Sequence, residues 1–353
     1  MPFGYIAPPL SGEEPYPDYI RENAVAGAKR LQDKQTKDCV NFLFMADIHY
    51  SENHNHDLRT VRLINAMKEV KPLCGKIFLG GDFVNDGTKL YKLHQYRHLR
   101  KYFEPFGYYP VMGNHDDNSI WDQCIEAEKS TNHLTTPELW TEFFNHIPWM
   151  GAQLPPQQPA LYYLVDDPAA KVRYVVLDMC DVPVAYNEKG YLLYPRQHTY
   201  AYSQAQLDWL VNTALVLPED GWDVMVFSHS FTTESKDADP FEPVCRILDA
   251  FKQGEKLDAF FREGVFRVHV QADFTAGPRP GMLAGFAGHY HKDMIQYTQG
   301  GVPLIYIAEV MMYRREDGTP GEILMDAVTL DRQNQKILLT RIGEGEDRQV
   351  ELQ

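Results

Sequence analysis

Apolar residues along this chain form short unbroken runs that alternate with segments of helical periodicity. The first run covers residues 40–46, and apolar side chains then recur at helical spacing from Leu58 to Val70. The same order, an apolar run and then a helical pattern, repeats at 76–79 and 90–103. Because short apolar runs are typical of buried strands, this alternation predicts an α/β fold.

The second half of the chain continues the alternation and ends in a predicted hairpin. Two alternating runs flank the polar turn at 331–335, which is the usual pattern of two antiparallel neighbours. Thr136 is predicted as the N-cap of a helix with Pro137 in its first turn. The other predicted strands are 108–112, 172–177, 223–227, 282–287, 323–330 and 336–342, and the other predicted helices are 24–33, 206–215 and 244–251.

Five short polar clusters each follow an apolar run. In α/β sheets ligands bind outside the carboxyl ends of the strands, so we expect these clusters to meet. Burying so many Asp and His side chains is costly unless a cation compensates them. The clusters are Asp47-Ile48-His49, Gly80-Gly81-Asp82 with Asn85-Asp86, Gly113-Asn114-His115-Asp116, Ser228-His229 and Gly288-His289-Tyr290-His291.

The donor types in these clusters indicate which cations would bind. Carboxylate, amide and imidazole donors together suit a divalent or trivalent ion such as Mn, Fe or Zn. No cysteine belongs to the clusters, which argues against a structural zinc site. Their number fits a centre of two metal ions, whose identity the sequence leaves open.

Taken in order, the clusters resemble the motif set of the calcineurin-like metallophosphoesterase superfamily. That set is D-x-H, G-D-x-x-(N/D), G-N-H-(D/E), H and G-H-x-H, and the resemblance extends from Asp47 to His291. It implies a four-layer α/β/β/α sandwich of two mixed sheets flanked by helices. Length alone would suggest about two domains, but ligands this far apart imply one. We therefore expect a leader at 1–37 and a single domain at 38–353, with insertions near 117–160, 185–203 and 231–280.

The resemblance also implies a role for individual residues of the clusters. His115 would face the substrate as a catalytic residue, with Asn85 or Asp86 as its partner. Asp82 would bridge the two metal ions. The first ion would be held by Asp47, His49 and His291, and the second by Asn114, His229 and His289.

The reaction that the resemblance implies is hydrolysis of a phosphomonoester or phosphodiester of a small molecule. A metal-bridging hydroxide would attack phosphorus, and His115 would act as general acid. Protein Ser/Thr phosphatases of the superfamily carry Asp-Arg where this chain has Asn85-Asp86, so a bacterial-type phosphoesterase is favoured. His54, Arg196 and His198 are weaker predictions for substrate contacts, because functional groups are common on loops.

Two alternative functions stay open at this point. One is a binding or scaffold protein that keeps the fold without activity, although every motif position is present. The other is a nuclease of the same superfamily. The formal net charge of −15 argues against the nuclease, because it repels nucleic acid.

Composition otherwise indicates an ordinary globular protein. Of the 353 residues, 44% are hydrophobic, and no apolar run approaches the ~20 residues that span a bilayer. The five cysteines are scattered, which favours a reducing compartment. The first residues lack the pattern of a signal peptide. We therefore expect a cytoplasmic protein with no membrane partner, whose oligomeric state is unknown.

Overall fold

Two large mixed β-sheets form the centre of the molecule. The computed structural model describes residues 16–51, 56–119, 132–233, 239–310 and 316–352. In the first sheet the three strands that precede site loops are parallel neighbours. The first of the three C-terminal strands pairs antiparallel with one of them, and the other two follow it as antiparallel neighbours. Its strands in spatial order are β15 (Arg348–Glu351), β14 (Lys336–Gly343), β13 (Leu324–Asp331), β1 (Cys39–Met45), β2 (Lys76–Leu79) and β3 (Tyr109–Pro110).

The second sheet has seven strands, and its four central members run parallel to one another. A separate two-stranded hairpin, β8 (Lys256–Phe261) and β9 (Val268–Asp273), lies outside both sheets. The strands of the second sheet in spatial order are β11 (Met294–Tyr297), β12 (Pro303–Tyr306), β10 (Pro280–Ala287), β7 (Trp222–Phe227), β6 (Val172–Val176), β5 (Tyr163–Asp167) and β4 (Ala152–Gln153).

Aromatic side chains fill the space between the two sheets. Phe42 and Phe78 come from the first sheet, and Phe227 and Phe286 come from the second. The rings of Phe78 and Phe227 stack with centroids 4.0 Å apart, and Phe42 meets Phe286 edge-on at 5.3 Å. Such ring pairs add about 0.5–1.5 kcal/mol each beyond area burial, so this layer holds the two sheets together.

Helices cover the outer faces of the sheets, which completes four layers. The mixed fold of two sheets flanked by helices agrees with the prediction. No helix in the described part of the chain is both long and apolar enough to cross a membrane. The helices are α1 (Asp18–Asp33), α2 (His56–Val70), α3 (Lys89–Phe103), α4 (Thr136–Leu139), α5 (Gln204–Trp209) and α6 (Glu242–Gln253).

Several element boundaries differ from the sequence predictions. Strand β3 holds only two residues instead of five, because it lies at the edge of the first sheet and its one neighbour, β2, ends at Leu79. Thr135, and not Thr136, caps α4, since its side chain accepts a hydrogen bond from the Glu138 N–H. The helix predicted at 206–215 begins at Gln204 and ends in a π-helical turn.

The described part of the expected leader is built into the core. Helix α1 packs against α2 and β14, and its side chains of Ile20, Ala24 and Leu31 are fully buried. An amphipathic helix that buries one face in this way contributes to the domain's stability. Residues 1–15 lie outside the described residues.

Candidate metal centre

The loops that follow five parallel strands meet at one edge of the two sheets. Asp47 follows β1, Asp82 follows β2 and Asn114 follows β3 in the first sheet. His229 follows β7 and His289 follows β10 in the second sheet. Because the strands in each set are parallel, their carboxyl ends lie on the same side and bring the polar clusters together.

Two groups of side chains converge tightly enough to share a metal ion. One contains Asp47, His49 and His291, and the other contains Asp47, Asp82 and His229. In the first group, His291 Nε2 lies 3.3 Å from both Asp47 Oδ1 and His49 Nε2. In the second, His229 Nε2 lies 3.1 Å from Asp82 Oδ2 and 3.7 Å from Asp47 Oδ1.

Asn114 and His289 pair beside these groups, with Asn114 Oδ1 3.0 Å from His289 Nδ1. The two oxygens of Asp82 have different surroundings. Oδ2 faces both His229 and His49, the latter at 3.8 Å, while Oδ1 accepts the backbone N–H of His115. Asp82 therefore contacts members of both predicted ligand sets.

Backbone conformation in these loops is unusual. Nine non-glycine residues in the described part of the chain have positive φ, a region that L-residues rarely adopt. Left-handed backbone costs about 1–2 kcal/mol per residue, and such outliers cluster at functional sites. Five of the nine are predicted metal ligands, namely Asp47, His49, Asp82, His289 and His291.

Glycines next to the ligands permit close approach between loops. A Cβ at Gly113 would lie 2.3 Å from Asp82 Oδ1, and one at Gly288 would lie 2.2 Å from Asp47 Oδ2. Both distances are well inside van der Waals contact, so the side chains of the ligands occupy space that only glycine leaves open.

Electrostatics at the centre favours positive charge. Burial would raise the pKa of Asp82, but His229 and His115 lower it, so its carboxylate is ionised. Burial would likewise lower the pKa of His229, yet the carboxylates of Asp82 and Asp47 raise it to about 9. Hydrogen bonds to Asp47 and Glu309 overcome burial and raise the pKa of His291 to about 10. Two buried carboxylates thus require cationic neighbours.

The side chains fit metal ions in the positions where those charges are needed. His229 donates from Nδ1 to the Gly80 carbonyl at 2.6 Å, which directs Nε2 at the two carboxylates. This buried Nε2 has no hydrogen-bond partner among the described residues. A histidine oriented by a carbonyl on its second nitrogen is the usual arrangement of a metal ligand.

His115 lies against the centre and is paired with Asp86, not with Asn85. Its Nδ1 lies 2.6 Å from Asp86 Oδ2, and its ring meets that of His49 edge-on. Burial lowers the pKa of His115, but Asp82 and the hydrogen bond to Asp86 raise it above its usual value. The Asn85 backbone N–H instead donates to the Tyr50 carbonyl.

Three residues that support the centre escaped the sequence analysis. Gln197 places its side-chain amide Nε2 3.0 Å from His115 Nε2, and its backbone carbonyl accepts a hydrogen bond from the Asn114 side-chain amide. Glu309 accepts from His291 Nδ1 at 2.5 Å, and Lys92 contacts Asp86. Of these three residues, only Lys92 has a feature that the sequence could have revealed, because it is a charged residue on the apolar face of α3.

The three residues that were weaker predictions for substrate contacts lie in different surroundings. Arg196 is buried, and its guanidinium donates to Thr136 Oγ1 at the wall of a cleft that Val182 and Tyr194 also line. His198 is exposed on the same loop. His54 lies outside the described residues.

Comparison with solved structures supports the fold. None of the curated proteins matches the sequence. A dimetal phosphatase from Danio rerio has a similar structure, with a TM-score of 0.54 and 15% identity over 89% of this chain and 99% of that chain. A 5'-nucleotidase precursor from Thermus thermophilus matches at a TM-score of 0.36 and 12% identity, over 88% of this chain and 54% of that chain.

The family comparison is more direct. The family described as calcineurin-like phosphoesterase matches residues 40–262, which is more than half of the chain. The matched range includes Asp47, Asp82, Asn114 and His229, and the loop with His289 and His291 completes the motif set beyond it. The chain belongs to the calcineurin-like phosphoesterase family.

Proposed function

We propose that this chain hydrolyses a phosphomonoester or phosphodiester of a small molecule at a centre of two metal ions. The observation that carries the proposal is the convergence of two potential ligand groups, which share Asp47, beside His115. Metal ions bound there would neutralise the phosphoryl oxygens and activate water for attack on phosphorus. Their identity among Mn, Fe and Zn is part of the test.

The proposed ligand sets include the two groups but divide them differently, with Asn114 and His289 added and Asp82 shared. Asp47, His49 and His291 would hold the first ion, Asn114, His229 and His289 would hold the second, and Asp82 would contribute to both. The position of Asp82 Oδ2 between His49 and His229 supports this division. Asp82 Oδ1, engaged by the His115 N–H, also couples the ligand set to the proposed general acid.

His115 supplies the proton in this proposal. Its Nδ1 hydrogen bond to Asp86 orients the ring, and Nε2, which lies 3.0 Å from the Gln197 side-chain amide, is the atom that would reach a leaving oxygen. Asp82 and the hydrogen bond to Asp86 raise the pKa of His115 above its usual value, which is the direction that a general acid requires. The proton passes from Nε2 to the ester oxygen as the bond from that oxygen to phosphorus breaks.

Turnover of p-nitrophenyl phosphate and its bis ester tests the proposal, with the protein loaded with Mn²⁺, Zn²⁺ or Fe²⁺. We expect release of p-nitrophenol by the wild type from at least one ester. His115→Ala should keep its metal content and lose about 10²-fold or more in turnover of phenyl phosphate, whose more basic leaving oxygen depends on a general acid.

Failure of every metal-loaded sample to hydrolyse either ester would refute the enzyme proposal and favour a binding protein. Loss of metal from His115→Ala would refute the assigned role of that residue. The net charge of −15 argues against a nuclease, and cleavage of DNA at physiological salt would overturn that argument.

A further inference from the structure

Lys92 is a cation buried on the core face of α3. Its side chain is fully buried, and it lies one turn before Tyr96 and two turns before Leu99, both of which are buried too. A buried ammonium is strongly disfavoured unless acceptors surround it. Its position in an otherwise apolar stripe therefore needs a specific reason.

Three acceptors from two site loops surround the ammonium group. The carbonyl of Val84 lies at 3.3 Å and Asp86 Oδ1 at 3.2 Å, both in the loop after β2. The carbonyl of His115, in the loop after β3, lies at 2.5 Å. An ammonium has three N–H donors, so each can be used, and Lys92 joins the two loops that carry the Asp86–His115 pair.

The two oxygens of Asp86 are divided between its partners. Oδ1 faces Lys92 and Oδ2 faces His115 Nδ1 at 2.6 Å. Holding Oδ1 stops the carboxylate from turning, so Oδ2 stays directed at His115 Nδ1. Orientation of a catalytic group through a second hydrogen bond is a general device of enzyme sites.

We propose that Lys92 is a positioning residue that acts through Asp86 to aim His115 Nε2 at the leaving oxygen. The inference rests on the proposed function, in which His115 protonates that oxygen. The competing explanation is an ordinary buried ion pair, which supports the fold alone. The two explanations differ in how strongly removal of Lys92 lowers the turnover of esters with different leaving groups.

A phenolate leaving group needs protonation more than the stabilised p-nitrophenolate does. A misplaced general acid therefore slows phenyl ester hydrolysis most, whereas a general loss of folding slows both esters equally. The test compares turnover of the p-nitrophenyl and phenyl esters of phosphate by Lys92→Met, loaded with the metal that activates the wild type. We expect kcat to fall about tenfold or more for the phenyl ester and less than about threefold for the p-nitrophenyl ester.

Metal content and KM should stay at the wild-type values in Lys92→Met. Lys89→Met is the matched control, because Lys89 lies on the same helix and pairs with Glu138 at the surface. It should leave both rates unchanged. An equal loss on both esters in Lys92→Met, with an unequal loss in His115→Ala, would overturn the inference and leave the proposed function standing. A wild type inactive on both esters would overturn both.

Removing one partner of a buried ion pair can unfold a chain, so a second variant is needed. The double variant Asp86→Asn/Lys92→Met leaves neither charge unpaired. If Lys92 acts through Asp86, the ratio of the two ester rates in the double variant equals that in Asp86→Asn. A further change of this ratio on adding Lys92→Met would overturn the inference.

Discussion

Glu309 offers the sharpest test of how this centre holds metal. The side chain is buried, and its Oε2 accepts a hydrogen bond from His291 Nδ1 at 2.5 Å. With Nδ1 committed in this way, His291 Nε2 faces Asp47 and His49, where the first ion is proposed to bind. Glu309→Gln keeps the size and an acceptor oxygen but removes the negative charge.

The size of the effect follows from the kind of hydrogen bond that is lost. A bond to a charged group contributes about 1.5–3 kcal/mol and a neutral one about 0.5–1.5 kcal/mol. The difference, about 1–1.5 kcal/mol, corresponds to roughly a tenfold weaker affinity for the ion on His291. This lies at the lower end of the ~10–100-fold loss seen when a partner of a ligating histidine is changed.

The assay measures metal affinity by titrating the metal-free protein with Mn²⁺ or Zn²⁺. Binding is monitored by calorimetry or by competition with a chelator dye. Glu322→Gln is the matched control, because Glu322 is also buried and charge-paired, but its partners are Arg62 and Tyr19. The control should bind metal as the wild type does. An unchanged affinity in Glu309→Gln, or an equal loss in both variants, would refute the reasoning.

Three further predictions follow from the same contacts. Asp82→Asn should lower the occupancy of both ions in metal analysis, and loss of only one would contradict its shared position. Gln197→Leu should lower kcat about tenfold at unchanged metal content, because its side-chain amide no longer orients His115. Burial raises the pKa of Asp178 to about 7, so the folded state holds a proton that the unfolded state loses near pH 4. The free energy of unfolding should fall by up to ~4 kcal/mol between about pH 4 and 7, and Asp178→Asn should flatten that fall in urea titrations at pH 5 and 8.

The fold and the convergence of the clusters could be predicted because both follow from local patterns. Each cluster stands directly after an apolar run, and parallel strands bring such positions to one edge of a sheet. The hairpin β8–β9 escaped prediction within 231–280. Its strands expose Phe260 and bury Phe261, so neither a clean alternation nor an unbroken apolar run marks them.

The supporting contacts could not be predicted because they join residues far apart in sequence. Gln197 meets His115 across 82 positions, and no spacing rule connects a loop glutamine to a distant histidine. Glu309 meets His291 only because β11 and β12 fold back between them. Lys92 was visible as a charge on a buried helical face, but its partners depend on how two loops lie over that helix.

The backbone of the centre explains why these loops act as one unit. At about 1–2 kcal/mol each, five left-handed ligand residues would cost about 5–10 kcal/mol, which is comparable to the whole stability of a domain. Hydrogen bonds between loops hold them in place. The Asp47 N–H donates to the Gly81 carbonyl, the His49 N–H to the Asp82 carbonyl, and the His289 N–H to the Asp47 carboxylate.

Three of the five strained residues are therefore fixed by a neighbouring loop, two of them through backbone carbonyls that a side-chain substitution leaves in place. Asp82→Asn removes a charge from the ligand set, but it keeps the carbonyl that holds His49 and an oxygen for the His115 N–H. Loss of metal in that variant can then be assigned to the missing carboxylate, because the loop that presents the remaining ligands keeps its bonds.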